Sequence, residues 1–197
     1  GRWGYVLSQS SGKTYKYFIN GGVTTRSWFT NSSCYPLAQL SENYCQCYII
    51  GLGENDSYNL GENYLGTSAD INDNNPDQNA DTYYGNYAKI IQKMKQQVPN
   101  ARFFLITNPH NQTDLRKQYN TAVRYIANHF THCFVIDLAS KYESVFNSGY
   151  IDSCRRGGHY CSSAYHYMGK IIANEINKIM YDNPSEFYGV QFIPTST

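Results

Sequence analysis

The sequence lacks an excess of either charge, a long apolar run and a Cys-x-x-Cys pair, and each absence argues against a class of protein. Lys and Arg number 16 against 15 Asp and Glu, so the formal net charge of +1 provides no long-range field for nucleic acid or an anionic membrane. No apolar stretch approaches the roughly 20 residues of a bilayer-spanning helix. The missing Cys-x-x-Cys pair disfavours a zinc site. We therefore expect no nucleic-acid partner, no membrane partner and no metal.

Leu, Ile and Val are few, and aromatic residues carry much of the apolar content instead. The 197 residues include 20 Tyr and 9 Phe, and Asn is as frequent as Tyr. This composition excludes a coiled coil, a collagen-like chain and a disordered tail, and the length suits one domain with a sizeable core. Abundant Tyr and Asn are typical of a wet, hydrogen-bonding surface rather than of an apolar groove.

Six cysteines leave two interpretations open. They can form up to three disulfides, with Cys154 and Cys161 closing a short Gly-rich loop, or they can remain small buried thiols in a reducing compartment. Asn31 and Asn111 lie in glycosylation sequons. Cysteine number and sequons together favour a secreted or cell-surface location.

Strand-like and helix-like segments alternate along the chain. Apolar residues at helical spacing from Tyr84 to Val98 predict an amphipathic helix that Pro99 ends, and Thr113 is a suitable N-cap for a second helix. The predicted strands are Thr14–Ile19, Cys47–Leu52, Arg102–Ile106 and Cys133–Leu138. The predicted helices span 82–97, the stretch from Thr113 towards Phe130 and a final stretch capped by Ser162 or Ser163. Residues 59–80 are predicted to form a long loop, and Tyr188–Ile193 is predicted to be a strand-like piece of the tail.

Strands separated by crossover helices predict an α/β fold with a parallel sheet covered on both faces. In such sheets the ligand crevice lies at the carboxyl ends of the strands. Catalytic or binding residues are therefore expected in the segments that follow the strands.

Three segments carry candidate residues. Asn20-Gly21-Gly22 offers a turn with an exposed backbone N–H, and Gly53-Glu54-Asn55-Asp56 offers an amide donor at a strand end, so both suit an oxyanion. His159 lies on a Gly-rich loop before the last helix and suits a general base. Taken singly, each segment also fits an ordinary turn or a structural histidine. A structural role is our interpretation of the other histidines, His110, His129, His132 and His166.

The order of these segments resembles that of the SGNH, or GDSL-type, hydrolase family. Asn20-Gly21-Gly22 with Arg26-Ser27 looks like the second block of the family and is similar to that of the rhamnogalacturonan acetylesterase type. Gly53-Glu54-Asn55-Asp56 looks like the third block. Gly158-His159 through Tyr165, with Met168-Gly169, looks like the fifth. The resemblance runs from about Arg2 to Met180.

The resemblance implies a three-layer α/β/α sandwich with a parallel, flavodoxin-like sheet. It places one domain at residues 1–183 and a C-terminal tail at 184–197. It implies ester hydrolysis by a Ser–His pair without a metal or organic cofactor, in which Gly22 and Asn55 contribute to the oxyanion hole and His159 is the base.

Two departures from the family pattern concern the catalytic groups. No Gly-Asp-Ser, the family's first block, occurs in the sequence. The segment Gly1–Gly12 looks like the helix that follows that block, so the nucleophile is expected upstream of Gly1, and Ser8, Ser10 and Ser11 lie at the wrong end of this helix. The family's acid position, three residues before the histidine, holds Arg156. Asp152 is a candidate acid partner, and a dyad oriented by a backbone carbonyl is the alternative.

A sheet without its first strand leaves backbone groups without partners. We therefore expect an N-terminal segment of the same precursor to supply both the strand and the serine. A role for Tyr188–Ile193 as a strand elsewhere, with Ser196 as nucleophile, is a remote alternative.

Three functions are compatible with these observations. The favoured one is an esterase that acts on an acylated carbohydrate or another small ester. The alternative is a catalytically inactive, carbohydrate-binding or structural module of a cell-surface or viral protein, which the absent serine and Arg156 support. A third is a flavodoxin-like binding domain of another kind, in which Gly22, Asn55 and His159 would not meet in one crevice.

Overall fold

The computed structural model describes residues 3–11, 13–110, 112–149, 155 and 159–190. Three strands within this part of the chain are β1 (Cys47–Ile50), β2 (Arg102–Ile106) and β3 (Cys133–Ile136). The α-helices are α1 (Trp3–Ser11), α2 (Tyr35–Ala38), α3 (Glu54–Asn59), α4 (Tyr83–Gln97), α5 (Asp114–His129), α6 (Leu138–Lys141), α7 (Glu143–Phe146), α8 (Ser162–Asp182) and α9 (Pro184–Phe187). Short 3₁₀ turns occur at Ser27–Phe29, Ser41–Asn43, Glu62–Tyr64, Ser68–Asp70 and Pro76–Gln78.

The three strands form a parallel sheet in the order β1-β2-β3. Cys47 pairs with Arg102 at one end of the first ladder, and Phe103 pairs with Cys133 at the start of the second. Each strand reaches its neighbour through one long helix, α4 or α5, as parallel pairing requires. The predicted mixed α/β fold with a parallel sheet is thus confirmed.

Helices pack on both faces of the sheet because side chains along a strand alternate between faces. Phe103 and Leu105 of β2 join a core formed with α4 and α5. Phe104 and Ile106 join a second core formed with α1 and α8. All four side chains are buried, so the two cores give an arrangement of helices, sheet and helices.

Local signals in the sequence set the bounds of the two crossover helices. The Thr82 hydroxyl caps α4 by accepting the Gly85 N–H, and the Thr113 hydroxyl caps α5 by accepting the Arg116 N–H. Both helices confirm the predicted segments, and β2 has the predicted bounds. β1 and β3 are each two residues shorter than predicted, and the predicted loop at 59–80 contains three of the 3₁₀ turns.

The predicted strand Thr14–Ile19 is wrong, because the structure has no strand there. The segment has no regular secondary structure, and side chains hold it: the Lys16 ammonium donates to Asn43 Oδ1 over 3.1 Å, and the Trp28 indole N–H donates to the Phe18 carbonyl over 3.0 Å. An extended segment becomes a strand only when another strand lies beside it. At the other end, residues 188–190 form no strand, and the rest of Tyr188–Ile193, with Ser196, lies outside the described residues.

The outer edge of β1 is open. The Arg102 N–H donates to the Gln46 carbonyl over 3.0 Å, and the alternation of a parallel ladder therefore points the backbone groups of Cys47 and Ile49 away from β2. Within the described ranges no strand pairs with that edge. A Cβ built on Gly51, just beyond β1, would lie 3.3 Å from the Trp3 ring, so α1 begins beside the carboxyl end of this edge.

Packing continues past residue 183 into α9. Phe187 is buried and stacks on Phe104 with ring centroids 5.9 Å apart. The buried Arg102 guanidinium donates to the Glu186 carbonyl over 2.7 Å and pairs with the Glu186 carboxylate at 3.2 Å. The beginning of the predicted tail is therefore fixed to the amino end of β2. Among the helices described, none combines the length and apolar character that a membrane span needs.

Candidate functional site

The candidate site lies at the carboxyl end of β1, where α3 begins. Gly53 precedes α3 with a φ of 128°, a conformation that L side chains rarely adopt. A Cβ on Gly53 would also lie 2.7 Å from the Tyr83 hydroxyl oxygen. Glycine is therefore required at this turn, which directs the first turn of α3 towards the crevice above the sheet.

The structure brings Asn55 next to the loop that contains Gly22. The Asn55 side-chain amide donates to the Val23 carbonyl over 3.0 Å. Gly22 is exposed with a φ of 77°, and a Cβ there would meet nothing within 4 Å. A primary amide has two N–H donors, so Asn55 retains a second hydrogen for a ligand beside the Gly22 backbone.

Asp56 ties α3 to the same loop from beneath. Its side chain is fully buried, and Oδ1 accepts the Thr25 backbone N–H over 2.8 Å and the Thr25 hydroxyl over 2.6 Å. No donor among the described residues meets Oδ2 at hydrogen-bonding geometry. Burial raises the pKa of Asp56 and outweighs the hydrogen bonds from Thr25, which lower it.

A directed chain of hydrogen bonds ends at Asp56. The Thr25 hydroxyl gives its hydrogen to Asp56, so the Tyr64 hydroxyl, 2.9 Å from Thr25 Oγ1, must be the donor of that pair. The Asn86 amide donates to the Tyr64 hydroxyl over 3.0 Å and to Asp81 over 2.8 Å. Successive donors in a low-dielectric interior strengthen one another, which makes this a rigid support for the loop.

An ion pair at the surface also holds the loop after Gly22. The Arg26 side chain, next to Thr25, donates to Asp81 Oδ1 over 2.9 Å, and its guanidinium lies 4.5 Å from the centroid of the Tyr64 ring. The hydrogen bond from Arg26 and the nearby charge lower the pKa of Asp81 against the opposing effect of burial. The loop after Gly22 is thus held by both a buried and an exposed carboxylate.

The opposite side of α3 carries charged groups. Arg116 Nη2 donates to Glu54 Oε1 over 2.8 Å, and the Asn108 amide donates to the other Glu54 oxygen. The His110 Nδ1 atom lies 3.6 Å from Glu54 Oε1. Burial, Arg116 and Arg155 lower the pKa of His110 and outweigh the opposite effect of Glu54. His110 is therefore a partner of this ionic cluster.

Contacts link the segment around His159 to this cluster. Arg155 Nη1 lies 3.2 Å from His110 Nδ1, and the Arg155 guanidinium lies 4.4 Å from the centroid of the Tyr160 ring. His159 precedes Tyr160 and is exposed. Arg155 and Tyr160, near His159 in the chain, are thus linked to Glu54, the residue before Asn55, through His110.

Three other residues singled out in the sequence cannot be placed. The candidate acid partner Asp152 lies outside the described residues, as do Arg156 and Gly158. The acid partner of His159 therefore keeps both of its alternatives, Asp152 and a backbone carbonyl.

The described residues offer neither a reactive cysteine nor a cluster of metal ligands at this site. Cys34, Cys45, Cys47 and Cys133 are free thiols, and Cys154 lies outside the described part. Burial raises the pKa of Cys47 to about 11 and that of Cys133 to about 12. Over the ranges that the structure describes, no group of three or more His, Cys, Asp or Glu side chains could hold a metal ion.

Two features of the site were missed in the sequence. Thr25 lies 31 residues from Asp56 in the chain, and no local pattern connects the two. The ionic cluster assembles from α3, the loop after β2 and α5, which only the sheet topology brings together. The sequence signal that could have suggested both is the pair of carboxyl groups that flank Asn55, Glu54 and Asp56.

Comparison with models of known protein families finds no match for this chain. Comparison with curated protein sequences also finds no significant match.

Proposed function

We propose that the chain forms most of the site of an SGNH-type ester hydrolase that acts on an acylated carbohydrate. The observation that carries the proposal is the contact of Asn55 with the Gly22 loop at the carboxyl end of β1. The Gly22 N–H and the second Asn55 amide hydrogen would be the two donors, from different segments, that stabilise the oxyanion of an acyl-transfer reaction.

The nucleophile in this proposal is a serine on a strand that precedes α1. That strand would occupy the open edge of β1, where the backbone groups of Cys47 and Ile49 point outward. Because Trp3 begins α1 beside Gly51, a serine just before α1 would emerge at the carboxyl end of β1, next to Asn55.

The reaction follows from these positions. The serine oxygen bonds to the ester carbonyl carbon while His159 takes the serine proton, and the Gly22 N–H and the Asn55 amide stabilise the oxyanion. His159 then gives the proton to the leaving alcohol as its C–O bond breaks. Water, deprotonated by His159, attacks the acyl-serine and releases the acid, which restores the serine.

An exposed tyrosine supports a sugar as the alcohol. Tyr58 is 79% exposed and lies one helical turn after Asn55 on α3, so the two side chains share a face of the helix. A sugar ring stacked on Tyr58 would have its acyl group near Asn55. Tyr64, Tyr83 and Tyr87 are buried, so these three side chains do not present a face on which a sugar could stack.

Hydrolysis of p-nitrophenyl acetate tests the proposal. The protein carrying the residues that its gene encodes before Gly1 should hydrolyse the ester, and His159→Ala should reduce kcat by at least about 100-fold. His166→Ala, an exposed histidine on α8, is the matched control and should retain activity. Equal rates in His159→Ala and the parent would remove His159 from the mechanism.

A second experiment tests whether the substrate is a sugar ester that stacks on Tyr58. Tyr58→Ala should raise KM for O-acetylated oligosaccharides while leaving the rate with p-nitrophenyl acetate unchanged, and Tyr181→Ala, 82% exposed on α8, should change neither. No hydrolysis of any ester, together with oligosaccharide binding that Tyr58→Ala abolishes, would favour the inactive binding module instead.

A further inference from the structure

We propose that Thr25 and Asp56 form a clamp that positions the Gly22 backbone and the Asn55 side chain for catalysis. The proposal rests on the function proposed above, because the two donors matter only if they bind an oxyanion. Neither Thr25 nor Asp56 reaches the crevice, since both side chains are fully buried, so each is a positioning residue.

The clamp acts on both donors at once. Asp56 follows Asn55 on α3, and Thr25 comes three residues after Gly22. Two hydrogen bonds of 2.8 and 2.6 Å join Thr25 to Asp56, and the Asn55 amide adds a third bond to the Val23 carbonyl. Three hydrogen bonds therefore connect a stretch of three loop residues to two consecutive residues of one helix.

The loop needs such a clamp because no sheet holds it. The described segment before Gly22 has no strand pairing, and the exposed Gly21 and Gly22 have no neighbour within 4 Å of a built Cβ. The Gly21 N–H donates to Asn20 Oδ1 over 2.8 Å, within the same segment. Two consecutive glycines have wide backbone freedom, so a contact from outside the segment is needed to fix its position. Thr25 is the first residue after them whose side chain is fixed on two sides, by Asp56 and by Tyr64.

The expected effect on catalysis is large because oxyanion stabilisation depends on short distances. A donor must lie about 2.7–3.1 Å from the developing oxyanion, and a displacement of about 1 Å can cost about 100-fold in rate. Loss of the Thr25 hydroxyl removes one of the two bonds to Asp56 and the bond to Tyr64 together. We expect kcat to fall about 100-fold in Thr25→Val, with KM changed less than about threefold.

Thr107→Val is the matched control. Thr107 is also fully buried, and its hydroxyl also donates to a carboxylate, Asp137, over 2.9 Å. This pair lies between β2 and α6 and touches neither donor of the site. Both valine variants lose one buried hydroxyl and one hydrogen bond to an aspartate. A difference between them in kcat or in Asn55 amide exchange therefore arises from where the lost hydroxyl lies and not from lost stability alone.

The experiment combines kinetics with a readout that needs no activity. In the 197-residue chain, proton exchange of the Asn55 side-chain amide, followed by NMR, should accelerate at least tenfold in Thr25→Val and remain unchanged in Thr107→Val. Thr25→Ser, which keeps the hydroxyl, should restore slow exchange. With the upstream segment present, kcat for p-nitrophenyl acetate should follow the same order.

Equal proton-exchange rates of the Asn55 amide in Thr25→Val and Thr107→Val would overturn the clamp. The clamp would also be overturned if kcat fell in both variants in proportion to their loss of folding stability. Failure of the esterase proposal has a different signature, because the parent protein would then lack hydrolysis while the Asn55 exchange rates still differed between the variants.

Discussion

Two threonine–aspartate pairs at the carboxyl side of the sheet have the same hydrogen bond but opposite electrostatics. In the pair at the candidate site, Thr25 is the only side chain that donates to Asp56 among the described residues, and burial raises the pKa of the carboxyl group. In the pair beside β3, Thr107 shares Asp137 with Arg124, which donates over 2.9 and 2.8 Å. Burial acts on Asp137 too, but Arg124 and Thr107 outweigh it and lower the pKa.

We infer from this difference that Asp137 stabilises the fold and that Asp56 orders the proposed site. An aspartate with an arginine partner stabilises the folded state when it is ionised, whereas a buried aspartate without a cation opposes folding when it is ionised. The burial of this carboxyl group next to Asn55, where ionisation is unfavourable, supports the proposed positioning role. We expect four changes in stability or pKa, which follow in order of decreasing size.

Removal of the charge at Asp137 should cause the largest loss of stability. In Asp137→Asn, Arg124 loses its counter-ion, and we expect a loss of about 2 kcal/mol, below the roughly 3–5 kcal/mol of a fully buried pair because Arg124 is partly exposed. Urea unfolding at pH 7 measures this free energy. A loss below about 0.5 kcal/mol would show that the ion pair is only a surface contact.

The same substitution at Asp56 should cost less. Asn at this position keeps an oxygen that accepts from Thr25, and the buried negative charge disappears. We therefore expect a loss of about 1 kcal/mol or less in the free energy of unfolding. Asp137→Asn serves as the reference, and a larger loss at position 56 than at position 137 would reverse the comparison.

The two carboxyl groups should give opposite pH dependences. The pKa of Asp137 is lower in the folded than in the unfolded chain, so its stabilisation is present above about pH 3.9 and is lost as the pH falls through the folded pKa. The pKa of Asp56 is raised, so its ionisation penalty develops above about pH 3.9 and is relieved as the pH falls.

Urea unfolding of the parent and of both asparagine variants between about pH 2.5 and 7 measures these dependences. As the pH falls, the cost of Asp137→Asn should shrink, whereas the cost of Asp56→Asn should grow. Parallel trends in the two variants would contradict the assignment.

The smallest effect is expected on the exposed side of α3. In Glu54→Gln the pKa of His110 should fall further, because Glu54 is the group that raises it while Arg116 and Arg155 lower it. Stability should change by less than about 1 kcal/mol, since the Glu54 side chain is 45% exposed. An NMR titration of His110 measures the shift. An unchanged or raised pKa would mean that Glu54 does not act on His110.

Elements with local signals were predictable from the sequence, and elements that depend on distant partners were not. Thr82, Pro99 and Thr113 mark helix ends within a few residues, so α4 and α5 were recovered closely. The segment Thr14–Ile19 has the alternation and residue types of a strand, yet strand formation requires a neighbour that no local pattern supplies.

The same distinction applies to the site. Asn55 and Gly22 were identified from their own segments, because Asn55 comes soon after β1 and the consecutive glycines Gly21 and Gly22 are themselves a local turn signal. The role of Asp56 depends on Thr25, and the role of Glu54 depends on Arg116 and His110, all of which reach α3 only through tertiary packing. The sequence therefore indicated the proposed donors but not the residues that hold them.

Covalent labelling with a fluorophosphonate, mapped by mass spectrometry, is the decisive experiment on the protein that includes its upstream segment. We expect one phosphonylated serine N-terminal to Trp3, labelled at least about 100-fold more slowly in His159→Ala. Absence of a labelled serine, or labelling at the same rate in His159→Ala, would contradict an ester-hydrolase site at the carboxyl end of β1.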